Sequence, residues 1–254
     1  VDGEAKILNR KVTSVSDAVD AYTEYEKYMG LAEIDTLRFV VSNTTEAGIV
    51  FDDTDKFELN PPKTFPGKLT KFLYHRYQTF HGNPDKGLIM LPTELIDDNG
   101  IMLRKCVLQL IELWGLGEEF KNWVEEACIF TSTLVDRIIT GYPKATENEE
   151  WEKLGYIDRI MVTGEPFALW VIESAKDISS ELPLPDAGLP VIYTDNQKPY
   201  KQRKVRILNG AHTSMIPYAL LSGLETVKDC LEDEKMSAFL KKCVFEEIMP
   251  TLDI

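Results

Sequence analysis

The chain has 254 residues, of which 28 are basic and 42 acidic, so its formal net charge is −14, and 44% of the residues are hydrophobic. A chain of this length can bury a core without disulfide staples, and its four cysteines, none in a CxxC pair, argue against a secreted disulfide framework. The negative charge would repel nucleic-acid phosphates and anionic lipids. No run of about 18 apolar residues or basic N-terminal leader occurs, so we expect a cytoplasmic protein without nucleic-acid or membrane partners.

Alternating helix and strand is predicted over residues 1–100, in the order that builds a largely parallel sheet with helices on its faces. Short apolar runs that end in a polar loop or at a proline predict buried strands at 37–41 and 87–91. Apolar residues at i, i+3 and i+4 spacing predict three helices, at 15–28, 67–80 and 101–114. Ligands of such sheets bind beyond the carboxyl ends of the strands, so we expect a site in the loops after Val41 and Leu91.

The second half of the chain mixes strands, helices and irregular segments. The acidic stretch 144–160 is predicted to be a surface loop, and 167–172 and 191–193 are predicted strands separated by a Pro-rich connection. After Pro199 the sequence is predicted to be helical, with another helix from about Glu234 to Ile248. We therefore place a boundary near residue 199, where strand-rich sequence gives way to helix.

Common nucleotide-binding and metal-binding motifs are missing from the sequence. Neither GxGxxG nor GxxxxGK[ST] occurs, and His75, His81 and His212 lack ligand spacing with a third donor, so we expect no metal site. The cysteines lie among apolar neighbours and are expected to be buried structural thiols. Catalysis by one of them would require His212 beside it.

The segment 201–214 combines residue types that suit proton transfer to or from an alcohol. At about 100° per residue on an α-helix, Asn209 lies about 140° and His212 about 80° from Lys204, so all three fall on one side. An amine, an amide and an imidazole can supply the proton transfer and hydrogen bonds that alcohol oxidation needs without a metal. Periodicity alone leaves a second interpretation open, in which a basic, solvated first turn precedes a buried polar pair.

The same three residues, Lys204, Asn209 and His212, match the K-x4-N-x2-H signature of the polyol-specific long-chain dehydrogenases, and the chain resembles this family along nearly its whole length. Four stretches carry the resemblance: RFVVSNTTEAGI at 38–49, LPTELIDDNG at 91–100, STLVDRIITGYP at 132–143 and KPYKQRKVRILNGAHTS at 198–214. The resemblance implies an α/β fold, with an incomplete Rossmann-like nucleotide-binding domain followed by the start of a mainly α-helical substrate domain. It assigns residues 1–198 to the C-terminal part of the dinucleotide-binding domain and 199–254 to the first helices of the substrate domain.

The resemblance also implies a reaction and the residues that perform it. The expected enzyme is an NAD-dependent oxidoreductase that interconverts D-altronate and D-tagaturonate, which are small sugar acids, without a metal. Lys204 would be the general acid and base, Asn209 would donate to the substrate oxygen, and His212 would donate a hydrogen bond to a neighbouring hydroxyl. A free lysine amine has a pKa about three units too high for such a base, so the interpretation requires burial or neighbouring positive charge.

Further site positions are implied by the resemblance. The expected contacts to the nicotinamide half of NAD are Asn43, Thr44 and Thr45. Asp136 and Arg137 resemble family positions at the cleft between the domains, with a structural salt bridge as the alternative.

Glu94 is a further expected substrate or cleft residue. It falls where mannitol-type relatives carry an asparagine near the reactive oxygen, but its spacing to Asn99 and Gly100 differs by one residue.

Departures from the family pattern leave other functions open. Family members are about twice as long and begin with a Gly-rich dinucleotide turn that the present sequence lacks, so we expect an internal part of a longer enzyme. The mannonate/fructuronate oxidoreductase and mannitol dehydrogenase reactions of the same family are alternatives. A non-catalytic acidic fragment or binding module is the alternative from another class.

Overall fold

The computed structural model describes residues 8–252 of the chain. Between Tyr193 and Thr194 the chain divides into two compact units. The first unit contains both strands and helices. The described part of the second unit consists mostly of helices from Lys198 onward.

Three parallel strands form the sheet that positions the site. They are β1 (Phe39–Ser42), β2 (Ile89–Pro92) and β3 (Ile129–Phe130), hydrogen-bonded in that order. Phe39 pairs with Ile89, and Ile89 pairs with Ile129. Because parallel strands require crossover connections, the chain between neighbouring strands folds into helices, as the alternating pattern predicts.

Two further sheets complete the strands of the described chain. Their strands are β4 (Ser132–Asp136), β5 (Ile139–Gly141), β6 (Thr163–Gly164), β7 (Leu169–Glu173) and β8 (Val191–Thr194). One sheet has the order β4-β7-β8 with β4 and β7 antiparallel, and the other is the antiparallel pair of β5 and β6.

Helices make up most of the remaining regular structure. The α-helices are α1 (Tyr25–Gly30), α2 (Phe65–Thr79), α3 (Asn99–Leu113), α4 (Glu118–Ala127), α5 (Glu147–Leu154), α6 (Lys198–Gln202), α7 (Gly210–Leu221), α8 (Val227–Glu232) and α9 (Glu234–Lys242). Two segments are π-helices, Arg203–Asn209 and Cys243–Ile248. Short 3-10 turns lie at Leu31–Glu33, Pro84–Lys86, Pro185–Ala187 and Met249–Thr251.

The central strand β2 is buried on both faces, as predicted. Successive side chains on a strand point to opposite sides. Leu88 and Met90 therefore pack into the core formed with α2, α3 and α4, whereas Ile89 and Leu91 pack with Ile172 in a second cluster. All four of these β2-region side chains are at most 1% exposed.

A buried arginine on α2 ties together the segments that lead into β1 and β2. Arg76 is 1% exposed, and its guanidinium donates hydrogen bonds to four backbone carbonyl oxygens. Nε donates to Lys86 O at 2.7 Å, Nη1 to Ala32 O and Ile34 O at 2.9 Å each, and Nη2 to Leu37 O at 2.9 Å. Burial lowers the pKa of this guanidinium from its ordinary value.

The predicted helix at 15–28 is wrong over most of its length, since α1 begins only at Tyr25. Asp20 instead forms a turn, because its carboxylate accepts from the Tyr22 N–H at 2.9 Å and from the Thr23 hydroxyl at 3.0 Å. Such local side-chain bonds compete with helix formation. Val15 is 72% exposed, so no packing compensates for the cost of starting a helix there.

The segment 144–160 is predicted to be a surface loop but contains a helix, α5. The prediction of a loop is therefore wrong for the residues of α5. Acidic side chains occupy the first turn of α5 and Lys153 the last turn, which complements the helix dipole. Gly155 ends the helix in the left-handed region, with φ 75°. No residue of α5 is buried, and its only apolar side chains are Trp151 and Leu154, so its apolar stripe is too short to indicate a helix from the sequence.

The second unit has a small core of its own. Its fully buried members are Met215, Ala219, Cys230, Met236 and Leu240. A capping box starts α8, in which the Thr226 hydroxyl accepts from the Asp229 N–H and the Asp229 carboxylate accepts from the Thr226 N–H.

All four cysteines are buried and free, as predicted: Cys106, Cys128, Cys230 and Cys243. Burial raises the pKa of the Cys128 thiol to about 11. This thiol is therefore protonated, and inert as a nucleophile, at neutral pH.

Candidate active site

Buried polar side chains gather at the carboxyl edge of the parallel sheet, in the loops after β1 and β2 where the sequence predicts a site. Ser42, Glu94, Asn99 and Thr133 are each no more than 6% exposed. They come from the end of β1, the loop after β2, the start of α3 and β4. Hydrogen bonds connect these four elements into one network, which fixes the loops relative to the sheet.

The carboxylate of Glu94 is bound by the last residue of β1 and by the loop that follows this strand. Its Oε2 accepts from the Ser42 hydroxyl at 3.0 Å. Its Oε1 accepts from the Thr44 backbone N–H at 3.0 Å and from the Thr44 hydroxyl at 2.7 Å. Glu94 is only 2% exposed, so both oxygens face protein donors.

Asn99 connects the loop after β2 to the start of α3 and to β4. Its Nδ2 donates to Pro92 O at 3.1 Å and to Glu94 O and Thr133 O at 3.0 Å each. Its Oδ1 accepts from Gly100 N and Thr133 N at 2.9 Å each. The side chain is 0% exposed, so every bond is made away from solvent.

Gly100 allows the helix to start so close to β4. A Cβ at this position would lie 1.9 Å from the Thr131 carbonyl oxygen. No other residue type fits this gap, because backbone atoms on both sides would have to move. The Asn-Gly pair after a buried strand is the signal by which sequence analysis could have identified Asn99 as part of the site.

The cofactor residues predicted from the resemblance differ in exposure. Asn43 and Thr45 are exposed, whereas Thr44 is half-buried against Glu94. Thr45 has φ 80°, in the left-handed region that non-glycine residues rarely adopt. Position 48 in this turn requires glycine, because a Cβ there would lie 1.9 Å from the Thr44 hydroxyl oxygen.

Asp136 and Arg137 lie at the far end of β4 from Thr133. Asp136 pairs with Leu169 on β7 and is half-buried, while Arg137 is exposed. Arg137 Nε donates to the Glu165 carbonyl oxygen at 3.1 Å. The role of these two residues in a cleft stays a prediction.

Lys204, Asn209 and His212 lie in the second unit, in one continuous helical stretch from α6 through the first π-helix into α7. Lys204 and His212 are half-buried and Asn209 is exposed. His212 Nδ1 lies 2.9 Å from Leu208 O. A carbonyl oxygen only accepts, so Nδ1 carries the proton, and Nε2 of the neutral ring is an acceptor.

The π-helix changes the geometry expected for Lys204 and Asn209. The sequence prediction assumes α-helical periodicity, which separates the two by about 140° around the axis. The structure has a π-helix at Arg203–Asn209, where hydrogen bonds run between residues five apart, and the Gly210 N–H bonds to Val205 O in this way. Residues five apart therefore lie in successive turns, which suits the spacing of Lys204 and Asn209.

Within residues 8–252 no group of three or more His, Cys, Asp or Glu side chains could hold a metal ion. None of the helices in this part of the chain is long and apolar enough to span a membrane.

Comparison with known proteins gives matches in both units. Residues 2–185 match the family model of the mannitol dehydrogenase Rossmann domain, and residues 196–254 match that of the mannitol dehydrogenase C-terminal domain. The chain is 48% identical, over 99% of its length and 52% of the relative, to altronate oxidoreductase of Bacillus subtilis (strain 168). It is 46% identical to altronate oxidoreductase of Phocaeicola vulgatus, over 96% of this chain and 51% of that protein. The chain thus spans about half the length of the curated relatives it matches.

Two solved structures share the fold. A D-sorbitol dehydrogenase in substrate-free form aligns with a TM-score of 0.76 at 24% identity, over 92% of this chain and 49% of that one. A Pseudomonas fluorescens mannitol 2-dehydrogenase, in a ternary complex with NAD and D-mannitol, aligns with a TM-score of 0.69 at 22% identity, over 96% of this chain and 50% of that one. The Rossmann-like α/β fold predicted from the sequence is confirmed.

Proposed function

Because the chain belongs to the mannitol dehydrogenase family, we propose that its protein is an NAD-dependent oxidoreductase that interconverts D-altronate and D-tagaturonate. One observation carries the choice of substrate, namely 48% identity over 99% of the chain to an enzyme named altronate oxidoreductase. The proposed substrate is a small sugar acid, and the proposed setting is the cytoplasm, with no nucleic-acid or membrane partner. In this proposal residues 1–198 belong to the dinucleotide-binding domain and 199–254 to the substrate domain.

Lys204 moves the proton in this proposal. During oxidation its uncharged Nζ accepts the proton of the substrate's secondary hydroxyl, and during reduction the protonated amine returns it to the carbonyl oxygen. Asn209 donates an amide N–H to the same oxygen and so stabilises its developing negative charge. No metal is needed, because side chains supply both the base and the donor.

His212 orients the sugar acid. Its Nδ1 faces the Leu208 carbonyl oxygen at 2.9 Å, which favours one tautomer of the neutral ring. Nε2 of that tautomer accepts a hydrogen bond from a substrate hydroxyl adjacent to the reacting carbon, in place of the donor role that the resemblance implies. Positioning of this kind lowers the entropic cost of the reaction without a change in the protonation state of the imidazole.

Asn43, Thr44 and Thr45 would hold the nicotinamide half of NAD. They follow β1 at the carboxyl edge of a parallel sheet, where ligands of this fold class bind. The exposed amide of Asn43 and the hydroxyl of Thr45 fit the polar groups of that half of the cofactor. Bound NAD accepts or supplies the hydride. Asp136 and Arg137 are proposed to contribute to substrate binding.

The assignment predicts that the natural protein containing this chain oxidises NADH when D-tagaturonate is present. We expect kcat/KM for D-tagaturonate to exceed that for D-fructuronate at least about tenfold, since a pocket built for one sugar-acid configuration leaves polar groups unpaired with the other. The measurement is NADH absorbance with each substrate in turn. A preference for D-fructuronate would indicate a mannonate/fructuronate oxidoreductase instead. Oxidation of D-mannitol in preference to D-altronate would indicate a mannitol dehydrogenase.

The alternative of another class is a non-catalytic acidic fragment or binding module. NADH titration of the 254-residue chain tests whether the chain by itself binds the cofactor. We expect weak binding or none, because the sequence lacks the Gly-rich turn that binds the cofactor pyrophosphate at a helix N-terminus. The measurement follows NADH fluorescence against protein concentration. Tight binding by the isolated chain would contradict this expectation, and NADH oxidation by the natural protein would exclude the non-catalytic alternative.

A further inference from the structure

We propose that Glu94 is a positioning residue, which holds the loop Ser42–Thr45 in the conformation that receives the cofactor and does not touch the substrate. The inference rests on the proposed function, since it concerns the same cofactor loop. It changes the role expected for Glu94, for which the resemblance implies a place beside the reacting oxygen.

Both carboxylate oxygens of Glu94 accept hydrogen bonds from protein donors and are turned away from a substrate. The Ser42 hydroxyl lies 3.0 Å from Oε2, and the Thr44 amide and hydroxyl lie 3.0 Å and 2.7 Å from Oε1. Glu94 is 2% exposed. A substrate could reach the carboxylate only by displacing the loop that Glu94 binds.

The loop needs such support because its backbone is not in a relaxed conformation. Thr45 has φ 80°, and a non-glycine residue in the left-handed region is strained unless its surroundings hold it there. Thr44, the residue before it, is fixed to Glu94 through both its backbone amide and its hydroxyl. The carboxylate therefore restrains the loop next to the strained residue.

The loop after β2 is itself rigid enough to provide this restraint. Thr93 donates its N–H and its hydroxyl to Ser42 O at 2.8 Å and 2.7 Å. The carbonyl oxygen of Glu94 accepts from Asn99, which is also bonded to Pro92 and Thr133. Glu94 thus extends a network anchored in the sheet and in α3.

This arrangement restrains Asn43. Its neighbours Ser42 and Thr44 are both bonded to Glu94, while Asn43 itself is exposed. An amide fixed on both sides at the carboxyl edge of the sheet is preorganised for binding, so less conformational entropy is lost when the cofactor is bound. Loss of the carboxylate should therefore weaken cofactor binding more than it slows the chemical step.

The test compares Glu94→Ala, Glu94→Gln and Ser42→Ala in the natural protein that contains this chain, with Glu119→Ala as the control at an exposed glutamate. The readouts are the Kd for NADH measured without sugar acid, the KM values for NADH and D-tagaturonate, and kcat. We expect Glu94→Ala to raise the Kd and KM for NADH about tenfold or more, while kcat and the KM for D-tagaturonate stay within about threefold. The Glu119→Ala variant should match the wild type.

Rescue by the conservative variant separates positioning from chemistry. In Glu94→Gln the amide oxygen can accept both bonds from Thr44, and the amide nitrogen can donate to the Ser42 hydroxyl after that hydroxyl rotates. We therefore expect NADH affinity within about threefold of the wild type for Glu94→Gln. Ser42→Ala removes one of the three donors and keeps both bonds from Thr44, so its Kd should lie between those of the wild type and Glu94→Ala.

Several results would overturn the inference. If both Glu94 variants lose kcat while the NADH Kd is unchanged, the carboxylate takes part in the chemistry. If Glu94→Ala does not fold, an unchanged Kd in Ser42→Ala is decisive against the inference, and a raised Kd supports it, because Ser42 is not a proposed cofactor contact. If the wild-type protein binds NADH but does not turn over the proposed sugar acids, the proposed substrate is wrong and the proposed role of Glu94 is unaffected. If the wild-type protein binds no NADH, both proposals are wrong.

Discussion

Replacing Lys204 with alanine is expected to abolish reduction of D-tagaturonate while NADH binding stays nearly intact. Loss of a positioned general acid and base typically slows a reaction by about 10²- to 10⁴-fold. The amine is proposed to contact the reacting oxygen and not the cofactor, so the Kd for NADH should change little. The measurements are steady-state NADH oxidation and a separate NADH titration of the same protein.

The position of Lys204 in the structure makes this prediction specific. It lies in the π-helix Arg203–Asn209, whose i→i+5 hydrogen bonds place residues five apart in successive turns. Lys204 and Asn209 have this spacing, so a base and a hydrogen-bond donor come to neighbouring turns. π-Helical turns are rare and are frequent at functional sites, which supports a shared role for the two residues.

A matched control is available in the same unit. Lys228 lies on α8 with its side chain 80% exposed and 3.7 Å from Glu232, so Lys228→Ala should leave kcat unchanged. Retention of more than about a tenth of the wild-type kcat in Lys204→Ala would remove Lys204 from the role of base. Loss of NADH binding in that variant would instead mean that Lys204 binds the cofactor.

Replacing Arg76 with methionine is expected to lower stability more than any surface substitution. Methionine keeps the apolar stem but removes the donors to the carbonyl oxygens of Ala32, Ile34, Leu37 and Lys86. A buried acceptor left unpaired costs about 1–3 kcal/mol, and partial hydration reduces the sum, so we expect a loss of about 4 kcal/mol. For a protein of this size that corresponds to a decrease in Tm of roughly 10 °C.

The control for Arg76→Met is the same substitution on the neighbouring helix. Arg104 on α3 is 43% exposed and pairs with Glu125 at 2.5 Å, and surface pairs contribute at most about 1 kcal/mol. The free energy of unfolding of both variants, from urea or thermal denaturation, gives the comparison. If the two substitutions cost the same, the four carbonyl bonds do not hold the amino ends of β1 and β2.

Elements with a strong apolar pattern could be predicted from the sequence. The runs at 37–41 and 87–91 overlap β1 and β2, and the predicted helices 67–80 and 101–114 correspond to α2 and α3. In β2, α2 and α3 most buried side chains are apolar, so the period of the pattern reports the structure. The prediction of a buried strand at 37–41 is wrong at Val41, which is 59% exposed. The segment 15–28 has a helical pattern, but only its end packs against the core, through Tyr28, and most of the segment is not helical.

The candidate site was only partly accessible to the same reasoning. The rule that ligands bind beyond the carboxyl ends of parallel strands identified the loops after β1 and β2, where the buried polar network is found. The family signature identified Lys204, Asn209 and His212, whose roles remain proposals. The π-helix was not anticipated, because an α-helical period was assumed for the whole segment.

Local patterns of apolar, polar and turn-forming residues were sufficient for the fold class and for the edge of the sheet that carries a site. The partners of Glu94 and Asn99 had to come from the folded chain, because Glu94 bonds to residues 50 and 52 positions away and Asn99 bonds to Thr133, 34 positions away. Hydrogen bonds between buried polar groups depend on which backbone segments the packing brings within about 3 Å. No periodicity along a single segment contains that information, so a carboxylate that holds a loop and one that meets a substrate have the same appearance in the sequence.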